Sequence, residues 1–249
     1  MTVTRDELLK LKPLIIAGPC AVESREQLFS IADKLHGMGV KVMRCQLWKP
    51  RTDRASFQGI GMEGAEWIKE IKDKYGFIIA TEVLDREHVD LTKGVSDILW
   101  IGARNMQNFE LLKKVGDDPR PAILKRGFIA TLDEWMASAK YIGLDKVILC
   151  ERGVRTGADS MRFTMDINTA LVAKYDKNMP VLIDPSHSAG RADMVSHLTY
   201  AAIASGIDGL IIEVHNTPTE AQSDKAQQIT PEIFKEIYKK VLEIYEAVH

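Results

Sequence analysis

Three cysteines, Cys20, Cys45 and Cys150, are all that 249 residues contain. The number is odd and too sparse for the disulfide framework of a small secreted domain, so they are read as thiols, one of which could act as a ligand. No apolar run approaches the roughly 18 residues of a membrane span. The opening MTVTRDELLKLKP carries charges where a signal peptide has its apolar core. Membrane association is therefore not expected, and a cytoplasmic location is. Neither sign of charge dominates, since 33 Lys and Arg face 35 Asp and Glu for a net charge of -2. Nothing draws the whole surface to nucleic acid or anionic lipid, and phosphate recognition would have to come from local clusters. Low-complexity segments and a repeated side-chain consensus are also missing. What remains is ordinary globular composition, 45% hydrophobic and 27% charged. The length is short for two full domains, so one domain over residues 1–249 with a large core is expected.

Eight short apolar runs punctuate the chain: LIIAG from Leu14, VKVMRC from Val40, FIIATEV from Phe77, ILWIGA from Ile98, AILKRG from Ala122, KVILC from Lys146, VLIDPSH from Val181 and GLIIEVH from Gly209. Their apolarity is continuous rather than alternating, which predicts strands buried on both faces, with helical crossovers between them. Ser24-Arg25-Glu26-Gln27 and Thr131-Leu132-Asp133-Glu134 fit the capping box, and Thr230-Pro231 sets an N-cap before a first-turn proline. After it, Ile233, Phe234, Ile237, Tyr238, Val241, Leu242, Tyr245 and Val248 form one apolar stripe. Eight strand–helix units, with strands over about 14–215 and a last helix over about 230–248, predict an α/β fold, a (β/α)8 TIM barrel; a doubly wound open sheet usually has fewer strands.

In such a barrel the chemistry collects at the C-terminal strand ends. Cys20, His187, Glu213 and Asp224 are a thiol, an imidazole and two carboxylates that suit a borderline divalent ion, although a lone buried cysteine is often a small hydrophobe and a strand-end histidine often structural. Arg44, Lys49, Arg51, Arg104, Lys125, Arg126, Arg152 and Arg155 are eight cations at the same ends. Crowding them calls for an anionic ligand, phosphorylated or carboxylated. Two or three are expected to be solvated or paired with Glu82, Glu151 or Asp184. His36, His88, His197 and His249 are read as surface residues, and His215 as a neighbour of the site rather than a ligand.

GPCAVES from Gly18, KPRT from Lys49, SFQG from Ser56, LKRG from Leu124, LCERGVRT from Leu149, DPSH from Asp184 and EVH from Glu213 occur in one order, spread over the strands. With them the chain resembles the 3-deoxy-D-arabino-heptulosonate 7-phosphate (DAHP) synthases of the short Iβ type, from about Leu14 to Gln228. The resemblance implies a metal-dependent condensation of phosphoenolpyruvate with erythrose 4-phosphate at the entry to the shikimate pathway and aromatic amino-acid biosynthesis. It implies Cys20, His187, Glu213 and Asp224 as ligands of one divalent metal, manganese first, with iron, cobalt or zinc as alternatives. Arg104, Lys125 and Arg152 would hold phosphoenolpyruvate, with Arg44 and Lys49 at its carboxylate. Lys49, Pro50, Arg51 and Thr52 would grip erythrose 4-phosphate, and Ser188 joins the substrate-binding set. Lys125 and His187 are the candidates for proton transfer, Glu82 for activating water, and Lys49 is counted with the catalytic group.

The rival family, 3-deoxy-D-manno-octulosonate 8-phosphate synthase, adds phosphoenolpyruvate to arabinose 5-phosphate and carries a KANRSS-like segment in place of KPRT. A non-catalytic phosphosugar-binding barrel would need only the cations. Where many relatives follow the strand-2 arginine with Gly-Gly, this chain has Cys45-Gln46-Leu47-Trp48. Few residues flank the barrel, so the resemblance implies either an unregulated enzyme or a barrel parted from a fusion partner such as a chorismate mutase. A homodimer or homotetramer is expected from the family.

Overall fold

The computed structural model describes residues 3–158 and 160–248; residues 1–2 of the expected domain, and His249, lie outside the described residues. Eight strands form a closed barrel in sequence order: β1 (Leu14–Gly18), β2 (Val42–Arg44), β3 (Ile78–Glu82), β4 (Ile98–Ile101), β5 (Ala122–Lys125), β6 (Val147–Glu151), β7 (Val181–Ile183) and β8 (Gly209–Glu213). Every pair is parallel, and β1 closes on β8 from Leu14 opposite Gly209 to Gly18 opposite Glu213. The (β/α)8 expectation is met.

The two-residue period of a strand divides the apolar residues into two cores. Leu14, Ile16, Val42, Ala80, Ile98, Ile123, Ile148, Leu182 and Ile211 fill the barrel interior together with Trp100. Their neighbours Ile15, Met43, Ile79, Leu124, Leu149, Ile183 and Ile212 face the surrounding helices. A four-residue helix, Arg5–Leu8, is set by a Thr4–Glu7 capping box and inserts Leu8 into the interior cluster from below. Its position gives the residues before β1 a structural task.

The cap signals act as expected, with one difference. Thr131 and Glu134 make the full reciprocal box, whereas at Ser24 only the half from Gln27 N forms, because Gln27 Oε1 accepts from Glu23 N instead. The VLIDPSH run stops at Ile183 because Asp184 caps the short helix Pro185–Ala189. No helix of the described residues is long and apolar enough to cross a membrane.

The last helix, Pro231–Val248, buries Phe234, Ile237 and Val241, while Ile233 and Val248 at the edges of the apolar stripe are 48% and 46% exposed. Phe234→Ala should therefore cost about 3–5 kcal/mol in urea unfolding, and Ile233→Ala no more than about 0.5 kcal/mol. Equal losses would contradict this packing.

Candidate active site

The strand period that fills the barrel with aliphatic side chains also turns one more layer inward at the top. Two residues beyond Val42, Ala80, Ile123, Leu182 and Ile211 come Arg44, Glu82, Lys125, Asp184 and Glu213, all buried. They pair across the barrel. Arg44 meets Glu213 at 3.0 Å and also donates to the Pro19 and Cys20 carbonyls. That approach requires Gly18, since a Cβ there would lie 2.4 Å from Arg44 O. Lys125 Nζ lies 2.6 Å from Asp184 Oδ2, and the same oxygen is 2.7 Å from His187 Nδ1. Burial would raise the Asp184 pKa, but His187 and Lys125 outweigh it and hold the carboxyl well below its usual range. Burial lowers the pKa of His187, against the opposing pull of Asp184 and Glu213.

Cys20, Glu213 and Asp224 bring a sulfur and two carboxylate oxygens within 4.8 Å of one another. His187 Nε2 faces them at 3.7 Å from Glu213 and 3.9 Å from Asp224, outside that tight trio. A thiol, an imidazole whose other nitrogen is fixed on a carboxylate, and two carboxylates fit a divalent ion such as manganese, iron or zinc. Lys49 shows that the cluster draws positive charge, because its ammonium stands 2.8 Å from Cys20 Sγ and 2.7 Å from Asp224 Oδ2. Although burial opposes it, those two groups push the Lys49 pKa upward. Burial, and then Glu213, raise the Cys20 pKa against the opposing pull of Lys49 and Arg44, and a bound metal would take the deprotonated sulfur. Asp224 is held at φ 45°, one of two non-glycine residues with positive φ among those described; such strain persists where a site over-determines it. Gln228 accepts from Cys20 N, and Gln227 donates to Glu213 Oε2 at 2.7 Å. The sequence reading passed over both of these orienting glutamines.

Two adjoining cavities open beside the cluster. The larger, about 260 Å³, is lined by Arg51, Thr52, Ser56 and Arg162 among others. The deeper one, about 40 Å³, is bounded by Arg44, Gln46, Glu82, Trp100 and Lys125. Lys49, Pro50, Arg104, Phe128, Arg152 and His187 belong to both walls. Nη1 of Arg44 and of Arg152 is buried with no hydrogen-bond partner among the described residues. Burial pushes Glu82 upward, while Gln46 Nε2 donates to its Oε2. The Cys45-Gln46 pair needs no glycine conformation, as neither residue has positive φ. Gly59 packs against the same segment, a Cβ there falling 2.2 Å from Leu47 O.

Several expected residues lie elsewhere. Arg126 follows the inward Lys125 and so faces out, bound to Asp166 at 2.7 Å and near Glu151 at 3.9 Å. Arg155 is exposed and lines neither cavity. Ser188 is buried, its hydroxyl donating to Asp184 O at 2.9 Å inside the Pro185–Ala189 helix, and it lines neither cavity. His36 and His197 are exposed as expected. His88 is half-buried rather than fully exposed, stacked on Trp48 with ring centroids 3.6 Å apart. His215 is 3.5 Å from Glu23 and accepts from Thr217 N, away from the ligand cluster. Arg162, on the large cavity and 3.9 Å from Asp224, lies in none of the motifs.

A (β/α)8 barrel with a cationic double cavity beside a thiol–imidazole–carboxylate cluster defines an enzyme architecture for small anionic molecules. The sequence model of the family described as "DAHP synthetase I family" matches residues 10–249. Phospho-2-dehydro-3-deoxyheptonate aldolase of Thermotoga maritima is 46% identical over 237 residues, 94% of this chain and 70% of that protein. A crystal structure of the Thermotoga maritima DAHP synthase superposes with a TM-score of 0.90 at 46% identity, covering 94% of this chain and 69% of that one. The truncated form of 3-deoxy-D-arabino-heptulosonate 7-phosphate synthase from the same organism gives 0.86 at 43% identity, with 94% and 86% covered. A 2-dehydro-3-deoxyphosphooctonate aldolase of Helicobacter pylori is 30% identical over 267 residues, 94% of this chain and 95% of that protein. The chain belongs to the DAHP synthetase I family and is an enzyme of that family.

Asp184 accepts from Lys125, from the His187 ring and from His187 N. Asp184→Asn leaves a buried ammonium without its counter-charge and should cost about 3–5 kcal/mol in urea unfolding at pH 7. Because the folded carboxyl is the stronger acid, its contribution is full above the ordinary carboxylate range and fades as pH falls through the depressed value. The gap between the two proteins should therefore narrow only in strong acid; a gap that closes near neutrality would refute the pairing.

Proposed function

We propose that this enzyme condenses phosphoenolpyruvate with erythrose 4-phosphate to give DAHP and phosphate, the entry reaction of the shikimate pathway, with one divalent metal held by Cys20, His187, Glu213 and Asp224. The observation that carries this reading is the pair of adjoining cationic cavities with a shared wall, room for two anions side by side. Its support in kinship is the 46% identity to a phospho-2-dehydro-3-deoxyheptonate aldolase, against 27–30% for the phosphooctonate aldolases. A bound metal would supply Lewis acidity toward the aldehyde oxygen, and manganese is the ion expected.

In the deeper cavity Arg104, Lys125 and Arg152 take the phosphate of phosphoenolpyruvate, while the unpaired Arg44 Nη1 and the Lys49 ammonium take its carboxylate. Arg51 and Thr52, on the loop stiffened by Pro50, take the sugar phosphate. Fixing both anions keeps the reactants in attack geometry and screens their repulsion. A bond then forms from C3 of phosphoenolpyruvate to the aldehyde carbon, and Lys125 delivers the proton that makes the new hydroxyl, while His187, the other candidate, is taken up by Asp184 at Nδ1 and by the ligand cluster at Nε2. Water adds at C2, its proton passing to Glu82, whose burial makes it a stronger base than an exposed carboxylate. Phosphate leaves from C2.

Loss of phosphoenolpyruvate absorbance with Mn2+ tests the reaction, with erythrose 4-phosphate and arabinose 5-phosphate in parallel and a chelator control. Chelator-sensitive loss with erythrose 4-phosphate alone is expected; loss with arabinose 5-phosphate alone would transfer the enzyme to the octulosonate reaction. Cys20→Ser should lose metal binding and turnover together, and normal turnover by that variant after chelation would remove Cys20 from the ligand set.

A further inference from the structure

Most buried arginines of this protein rest on carboxylates: Arg44 on Glu213, Arg120 on Asp118 and Arg126 on Asp166. Four others, at or beside the cavity wall, have no such close carboxylate. Among the described residues no salt bridge reaches Arg104, Arg152 or Arg155, and Arg162 has only Asp224, at 3.9 Å. What they share is an aromatic pair. Phe128, in the loop after β5, and Phe163, in the loop after β6, stack with centroids 5.3 Å apart and planes 10° from parallel. The Arg152 guanidinium lies 4.2 Å from the Phe163 centroid and 5.1 Å from that of Phe128. Arg104 and Arg155 lie 5.6 and 5.4 Å from Phe128, and Arg162 lies 5.3 Å from Phe163.

The two loops that carry the rings are tied by main chain. Arg155 N donates to Phe128 O at 2.7 Å, and Val154 and Thr164 exchange two hydrogen bonds of 2.9 Å. Gly153, at φ +92°, makes room, since a Cβ there would come 2.6 Å from Phe163 Cβ. A carboxylate partner would cancel an arginine's charge and consume its N–H groups. A ring face attracts the same cation through its quadrupole and leaves the in-plane donors free. The buried, unpartnered Nη1 of Arg152 is such a free donor.

We propose that the Phe128–Phe163 stack is the positioning element of the anion-binding wall, holding Arg104, Arg152 and Arg162 by their planar faces so that their N–H edges meet a phosphate group. Phe128 and Phe163 are positioning residues, acting through the arginines. The inference rests on the reading that the cavity takes a phosphorylated ligand, and it extends to residues that no motif marks.

The test uses inorganic phosphate as the probe, titrated calorimetrically into the whole protein. Phe128→Leu and Phe163→Leu keep apolar bulk but remove the ring, and each should weaken phosphate binding by roughly two- to thirty-fold, the span of a cation–π contribution. Phe128→Tyr and Phe163→Tyr keep the ring and should restore affinity. Mn2+ affinity should be unchanged throughout, and in turnover KM should rise more than kcat falls. Should the leucine variants fail to fold, phenylalanine analogues of increasing fluorination at position 128 drain the ring face at nearly constant shape, and phosphate affinity should fall along the series.

A flat fluorination series, leucine variants with unaltered phosphate affinity, tyrosine variants as weak as leucine ones, or an unsubstituted protein that binds no phosphate would each overturn the proposal. An unsubstituted protein that turns over its substrates while the series stays flat rejects the stack alone. Stack-dependent phosphate binding without turnover of either sugar rejects the reaction alone.

Discussion

Ionisable side chains crowd the upper interior of a barrel whose lower interior is aliphatic, and the site depends on how their charges alternate. Each alone would be intolerable at that depth. Together, Arg44 with Glu213 and Lys125 with Asp184 and His187 form two buried pairings that both border Trp100, whose ring lies 5.1 Å from the Arg44 guanidinium and 5.7 Å from Lys125 Nζ. Asp184 serves both systems, as helix cap and as counter-charge. Cys20, Lys49 and Asp224 then hang from the rim of this layer rather than standing apart from it, which ties the cation cluster to the anion cavities through shared residues.

Much of this was legible in the sequence. Eight continuous apolar runs could only be strands covered on both sides, and the two-residue period carries the argument from the core straight to the inward charges. The same period separates Lys125 from Arg126, which the strand-end position alone does not; adjacent cations look alike until parity is applied. Asp184 was also readable, because Asp-Pro at a strand end followed by His is an N-cap with proline at the first helical position. That it would pair with one of the strand-end cations was expected, but that the cation is Lys125 was not legible, since that needs two strands whose residues lie 59 apart in sequence.

Loop residues were the least legible. Phe128, Arg162 and Phe163 fall where neither strand nor helix periodicity applies, and their meeting depends on two loops being laid side by side by β5 and β6. Gln46 hid in a segment notable for lacking glycine, although its burial and its donation to Glu82 make it part of the deeper cavity wall. The close contact of that segment is instead with Gly59, where a Cβ would meet Leu47 O, so the glycine that matters there is separated from the segment in sequence.

The small helix Arg5–Leu8 carries a consequence for traffic. With Leu8 fully buried against the interior cluster, the barrel is a vessel stoppered at one end, and every solute enters and leaves by the mouth. The two cavities at that mouth share a wall of Lys49, Arg104, Phe128, Arg152 and His187, so a ligand seated in either one resets the charge that its neighbour meets.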